Sequence, residues 1–522
     1  MLSLRRSVLR RFMGGSASPL NATLEEKRAM VGEALQFLTE LERAPAPLAG
    51  SGHVWIGDGD AGTRERQRNR DAVASLDLGL SEAPYVPPTG SSSFHHLLKT
   101  TLDPAARLSM NDTHGGYMAF VPTGGLYHSA IADFLASNLN RYVTITEAAP
   151  ALAQIEQETV AWLCREICGW DAEGGAGGIM TSGGSMANMI AVHAARRAAM
   201  GNKDLPNATL YVSEQSHYCV AQAARFVGLQ PKHVKHLPSL ADRTVDVEAL
   251  RRELRADVEA GLTPIAVCAT AGTTNTGAVD DIAGCADACA EFGDVWLHVD
   301  AAYGGAFALT GRGKALMRGM ERADSVVVDP HKGLFVPYGL GALLVKDRAK
   351  LLRANHEDGA CMHPPAFFEG PGAEPVVDLM NLSPELTRDF RALKLWLPLK
   401  LLGGGAFRAA LEEKLDLTAE AAARVAAAGV SGLRVVDEPQ LSVFTFKLEK
   451  EGLEGEELDK LQLRLLGAIH ERGRVLLSPF RSVKGVPGEL CLRVCVLSCK
   501  TERRHVEDAV EDIIGAAASL NT

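Results

Sequence analysis

VVVDPHKGLFVPYG, residues 326–339, runs three valines into Asp-Pro-His-Lys and then returns to an apolar stretch at 334–336. Lysine is rarely fully buried. Lys332 between two apolar runs therefore reads as an amine carried by a buried strand into a cleft, where chemistry has a use for it.

Outward from this strand the same pattern recurs. GGIMTSGG (177–184), ATLYVSEQSH (208–217), PIAVCATAGTT (264–274), VWLHVDAAYGG (295–305), SVVVDPHKG (325–333) and GALLVKD (341–347) are short apolar runs ending in small or polar residues. Helical periodicity separates them, as in residues 151–167 and 245–261. Buried strands alternating with helices predict an α/β domain with a largely parallel sheet. Beyond residue 390 a helix-rich run leads into strand-like LSVFTFKLE (441–449), RVLLSP (474–479) and ELCLRVCVL (489–497), then a closing helix over 502–519. That pattern predicts a smaller C-terminal α/β domain. The expected division is 1–24 as a transit peptide or disordered tail, 25–125 as a helical and loop-rich N-terminal segment, 126–390 as the large domain and 391–522 as the small one. Residues 25–44 read as an amphipathic helix, and 45–100 mostly as loop.

Bulk properties narrow the function. Against 64 acidic residues stand 54 Lys and Arg, a net charge of −10 with no basic domain, so nucleic acid is not expected as a partner. There is no apolar stretch of about 18 residues, so a membrane span is not expected either. Cys491, Cys495 and Cys499 lack a CxxC pair and read as strand positions, so metal is not expected and buried thiols in a reducing compartment are. The first 24 residues carry Arg5, Arg6, Arg10 and Arg11 and no acid, the composition of a mitochondrial presequence or of a basic tail, leaving a cytoplasmic or mitochondrial location open.

In open α/β sheets ligands sit beyond the carboxyl ends of strands. TSGGSMAN (181–188) places Gly183, Gly184 and Ser185 at a strand-to-helix turn, where backbone amides favour an anion. Such turns are common, and taken singly Asp300 also fits a helix cap and His217 a polar loop residue. Lys332 changes the weighting, because desolvation is expected to depress its pKa and leave a nucleophilic amine able to form a Schiff base. A Schiff-base lysine, a carboxylate for a pyridinium nitrogen and a phosphate-binding helix terminus are together what pyridoxal phosphate requires.

On these residues, with SEQSH (213–217), HVDAAYGG (298–305) followed about 30 residues later by DPHKG (329–333), and FRALKLWLPLK (390–400), the chain resembles the group II pyridoxal-phosphate-dependent amino acid decarboxylases, such as the aromatic-L-amino-acid and glutamate enzymes. The resemblance implies the type I aminotransferase fold and a homodimer with active sites at the subunit interface, to which the N-terminal segment contributes. It implies that Lys332 holds the cofactor, that Asp300 keeps the pyridine nitrogen protonated, that His217 stacks on one ring face with Ala302 against the other, and that Gly183, Gly184, Ser185, Thr274 and His331 hold the phosphate. Phe120, Pro122 and Thr123, in GYMAFVPTGG (116–125), match the family's substrate-side loop. Asp329 departs from several relatives, which carry Asn there, and an aspartate is not an obvious phosphate donor.

A second departure bears on the product. In many relatives a loop tyrosine from the neighbouring subunit supplies the proton that replaces the lost carboxylate. Residues 354–386 contain no tyrosine, and none follows Tyr338; His363, Phe367 and Phe368 are the nearest candidates. The implied reaction is decarboxylation of an L-amino acid to the amine and CO2. The alternatives are oxidative deamination to an aldehyde, as in relatives where this tyrosine is phenylalanine, and a catalytically silent homologue that binds or assembles. Val121 argues for an aliphatic or medium-sized side chain, and no arginine for a second carboxylate is evident.

Overall fold

The computed structural model describes residues 24–43, 67–68, 70–76, 94–201, 207–293, 295–355, 377–481 and 489–521. The reading of residues 1–24, except Leu24, and the loop candidates His363, Phe367 and Phe368 lie outside the described residues. The chain divides into two compact units, Met1–Asp112 and Thr113–Thr522.

In the first unit, helix α1 (Leu24–Arg43) buries Phe37 but leaves Leu24, Val31, Leu35 and Leu38 exposed. Residues 94–107 are helical, through Phe94–Leu97, a wide turn at Leu98–Leu102 and Asp103–Arg107. The loop expected to reach residue 100 therefore ends earlier, because FHHLLKTTL has no Gly or Pro to break a helix.

The second unit holds two sheets. Strands β1 (Gly177–Thr181), β2 (Ala208–Ser213), β3 (Val234–Leu237), β4 (Thr263–Thr270), β5 (Trp296–Asp300), β6 (Ser325–Val328) and β7 (Gly341–Val345) form a seven-stranded sheet in the order β1-β7-β6-β5-β4-β2-β3. Every neighbouring pair is parallel except those made by β7. Helices α2 (Tyr127–Leu139), α3 (Pro150–Leu163), α4 (Gly184–Met200), α5 (Tyr218–Phe226), α6 (Val247–Glu259) and α7 (Ile282–Glu291) precede or link these strands. A parallel sheet covered on both faces needs apolar residues on both. Accordingly Val326 and Val328 pack with Leu297, Val299 and Leu344 on one face, while Val327 packs with Ile179, Val212, Leu343 and the α4 residues Ile190 and Ala194 on the other. A parallel ladder also aligns strand ends: Asp300 pairs in register with Val327, so β5 and β6 finish side by side.

The second sheet is antiparallel, in the order β10-β11-β9-β8, from β8 (Leu433–Asp437), β9 (Val443–Leu448), β10 (Ser478–Arg481) and β11 (Leu490–Cys495). Helix α8 (Leu393–Leu402) packs back on α2 and α3, while α9 (Gly404–Ala426), α10 (Gly455–His470) and α11 (Arg503–Asn521) gather around the second sheet. The strand expected at 474–479 begins only at Ser478. Edge strands β3 and β8 escape the sequence pattern because exposed polar residues interrupt them. Among the described residues no helix is long and apolar enough to cross a membrane, and no cluster of His, Cys, Asp or Glu is arranged to hold a metal. The cysteines among them are free thiols, and burial pushes Cys491 and Cys495 up to about 11.

Candidate active site

A cavity of about 290 Å³ opens at the carboxyl ends of β1, β4, β5 and β6. Gly183, Gly184, Ser185, His217, Thr274, Asp300, Ala302, His331 and Lys332 all line it, with Asn188, Cys219, Tyr303 and Asp329. Residues 150 positions apart in sequence meet here because parallel strands deliver their ends to one edge. Phe120, Pro122 and Thr123 are not among the lining residues. Phe120 is held aside, its amide donating to Ser478 Oγ at 3.0 Å and its φ of 49° in the left-handed region. Thr123 is buried.

The glycine turn is locked from behind. Glu156 and Arg388, both buried, pair at 2.7 Å; Glu156 accepts the Met180 amide at 3.1 Å, and Arg388 donates to the Met180 carbonyl at 2.7 Å. This fixes the end of β1, from which Gly183 (φ 156°, ψ 173°) starts α4 in a conformation only glycine tolerates. No side chain caps α4, so its first amides are left for a ligand.

Asp300 is 5% exposed. Its Oδ1 accepts the Ala302 amide at 3.2 Å and its Oδ2 accepts Asn188 Nδ2 at 3.2 Å. Behind Asn188 a buried chain continues. Asn188 Oδ1 lies 2.7 Å from His298 Nε2, His298 Nδ1 lies 2.7 Å from Ser325 Oγ, and Ser325 Oγ accepts Trp296 Nε1 at 2.8 Å. Because Asn188 Nδ2 donates to a carboxylate, its Oδ1 must accept, so His298 carries its proton on Nε2 and takes Ser325 Oγ–H on Nδ1. Burial drives the His298 imidazole down to about 4, keeping it neutral and the chain of donors pointed at Asp300. Neither Asn188 nor His298 was singled out from the sequence, although both lie inside motifs that were. Their spacing of 110 residues gives no local signal.

Lys332 follows β6 on a single helical turn, Pro330–Gly333. Its side chain is 26% exposed because it borders the cavity rather than the core, and its Nζ lies 3.0 Å from Asp329 Oδ2. The expected depression of its pKa is not found. Burial, the largest single influence, pulls it down, but Asp329 and Asp300 together carry it above the ordinary lysine value. His331 Nδ1, 2.6 Å from the Leu340 carbonyl, must donate there, which leaves Nε2 the free ring nitrogen. His217 Nδ1 accepts the Cys219 amide at 3.4 Å, capping α5. Burial lowers the pKa of both histidines.

These residues suit pyridoxal phosphate. An uncapped helix start with glycine-only geometry at Gly183, a primary amine, and a carboxylate held in one orientation border one cavity, and a Cβ at Gly184 would crowd its wall, 2.8 Å from Asp329 Oδ2 and 3.2 Å from Ala302. The structure also reveals Arg493 on β11, 3% exposed. It donates to the carbonyls of Asn275 at 3.2 Å and Phe120 at 2.5 Å, and its Nη2 has no partner among the described residues. No local signal in the sequence marks this arginine, because its partners Asn275 and Phe120 are far from it along the chain.

Residues 98–449 match the model of the pyridoxal-dependent decarboxylase conserved domain. The chain is 34% identical over 380 residues to an aromatic-L-amino-acid decarboxylase of Bacillus atrophaeus, covering 72% of this chain and 77% of that protein. It is 26% identical over 468 residues to an L-2,4-diaminobutyrate decarboxylase of Acinetobacter baumannii, covering 86% and 88%. Its fold superposes with a TM-score of 0.82 at 25% identity on the crystal structure of Oryza sativa TDC with PLP and tryptamine, covering 97% of this chain and all of that one.

Proposed function

The chain belongs to the pyridoxal-dependent decarboxylases and is a pyridoxal-phosphate-dependent carboxy-lyase; from that premise we propose that it converts an L-amino acid to its amine and CO2, with Lys332 as the amine that holds the cofactor. The observation that carries this reading is the meeting of Lys332, Asp300 and the uncapped start of α4 in one cavity. When bound, pyridoxal phosphate supplies an aldehyde for amines and a ring able to accept the electron pair that a departing CO2 leaves.

The protein's part is to bind and orient. Gly183, Gly184 and Ser185, with Thr274 and His331, would hold the phosphate. Asp300, supported by Asn188 and His298, would hold a proton on the pyridine nitrogen. His217 and Ala302 would bracket the ring. The resemblance would set Phe120, Pro122 and Thr123 beside the substrate, outside the cavity's own lining, and Arg493, whose guanidinium anchors Phe120 and whose Nη2 has no partner among the described residues, is a donor suited to a carboxylate. The four-part division at residues 24, 125 and 390 is retained as part of the proposal.

The proposal includes a homodimer. Tyr127, Ile131, Phe134, Leu135 and Leu139 form an exposed apolar row along α2, a face suited to burial against a second subunit. Light scattering should then give twice the mass of one chain.

A second reading is favoured by one observation, the absence of tyrosine from residues 354–386: oxidative deamination to an aldehyde. Purified protein with pyridoxal phosphate and a panel of L-amino acids separates the two. Equimolar CO2 and amine without H2O2 is the expected result. Stoichiometric aldehyde and H2O2 would establish the second reading, and no turnover with any amino acid would refute both.

A further inference from the structure

Asp329 is not used by the reading above. It is 2% exposed and borders the cavity. Its Oδ2 faces Lys332 Nζ at 3.0 Å and His331 Nε2 at 3.7 Å, while its Oδ1 has no hydrogen-bond partner among the described residues. Buried polar atoms are nearly always satisfied, so an orphaned carboxylate oxygen on a cavity wall is exceptional and leaves negative charge facing the cavity with no donor among the described residues to offset it. Its position is specific. A Cβ on Gly184, the first residue of α4, would lie 2.8 Å from Oδ2 and 3.3 Å from Cγ. The carboxylate thus rests against the helix start whose amides attract anions, beside the turn assigned to the phosphate.

We propose that Asp329 is an internal counter-anion of the cofactor site, holding the Lys332 ammonium in place at the α4 N-terminus and opposing the cofactor's phosphate there, so that the cofactor is retained less tightly than the cradle alone would allow. Two anions at one poorly solvated helix end repel, whereas a neutral amide of the same shape would donate to the phosphate instead. Asp329 is in this sense a positioning residue with a negative contribution to phosphate binding. An Asn at the same place would reverse its sign.

The inference rests on the cofactor-binding reading, and the test separates the two. Protein stripped of cofactor is titrated with pyridoxal phosphate and, separately, with pyridoxal, which lacks the phosphate. Binding is followed by absorbance, and the adduct is trapped with borohydride and located by mass spectrometry. In Asp329→Asn the affinity for pyridoxal phosphate should rise at least about tenfold. Pyridoxal should change much less, since it shares only the effect on Lys332. Asp329→Ser provides a second uncharged variant should Asp329→Asn fold poorly. A ratio of the two affinities that stays the same or falls on removing the charge overturns the proposal and leaves cofactor binding standing. Absence of any trapped adduct in the unsubstituted protein overturns both.

Discussion

Strands β5 and β6 lie side by side and each is completed by an aspartate, yet the two carboxylates are built in opposite ways. Asp300 has both oxygens bonded within the chain and is backed by Asn188, His298, Ser325 and Trp296. Asp329 has one oxygen on Lys332 and the other without a partner among the described residues. A carboxylate wired from behind keeps its orientation whatever enters the cavity. A carboxylate with a free oxygen and a flexible lysine for a partner responds to what arrives. The same residue type at equivalent strand ends is therefore held in two different ways, and the hydrogen bonds behind it make the difference.

The contrast can be broken in stages. The largest effect is expected from Lys332→Ala, which removes the cationic partner of Asp329 and should abolish the borohydride-trapped cofactor adduct and all turnover. A persisting adduct would place the reactive amine elsewhere. Next, Asp300→Asn makes the same chemical change as Asp329→Asn at the neighbouring strand but should act in the opposite direction, lowering turnover by about 100-fold or more by weakening the proton held on the pyridine nitrogen. A loss under tenfold in single-turnover assays would show that Asp300 is not the ring partner.

Asn188→Ala cuts the support behind Asp300 without touching its charge. Turnover should fall roughly tenfold, the cost of leaving buried partners unsatisfied, and the pH at which the bound cofactor's absorbance titrates should shift. Asn188→Gln should restore part of both; an unchanged absorbance titration in Asn188→Ala would reduce the chain of hydrogen bonds to a packing role.

The smallest effect concerns pH. Folding lowers the His298 pKa from 6.5 to about 4, so the unfolded chain takes up the proton first as the solution is acidified. The neutral ring's contribution is complete above pH 6.5 and is lost as pH falls from there towards 4, about 2 kcal/mol between pH 7 and 5. Denaturant melts of His298→Gln at both values should show a correspondingly shallower acid dependence. An equal slope in the two proteins would mean that His298 does not stay neutral.

Much of this was legible beforehand because it depends on residue type and order. Continuous apolar runs such as VVV at 326–328 announce strands buried on both faces, and glycines at 183 and 184 announce a turn whose backbone must approach something closely. The edge strands β3 and β8 were not legible, since exposed polar residues break their pattern. The Lys332 protonation was misjudged for a related reason. Burial can be guessed from flanking residues, but the charges that offset it, Asp329 three positions away and Asp300 on the adjacent strand, act through distances that only the fold sets.

By itself the sequence determined the alternation of strands and helices, the family and the cofactor, and it singled out Lys332 as the lysine proposed to hold it, because these follow from local periodicity and from motifs that are contiguous in the chain. The tertiary structure alone decided which partners stand behind each carboxylate, that Asp329 and Asp300 offset the burial of Lys332, and that Arg493 reaches the loop of Phe120 with its Nη2 unpartnered among the described residues. Hydrogen bonds and Coulomb interactions depend on separations of a few ångström between residues that range from three to 373 positions apart, and no periodicity in the chain records those.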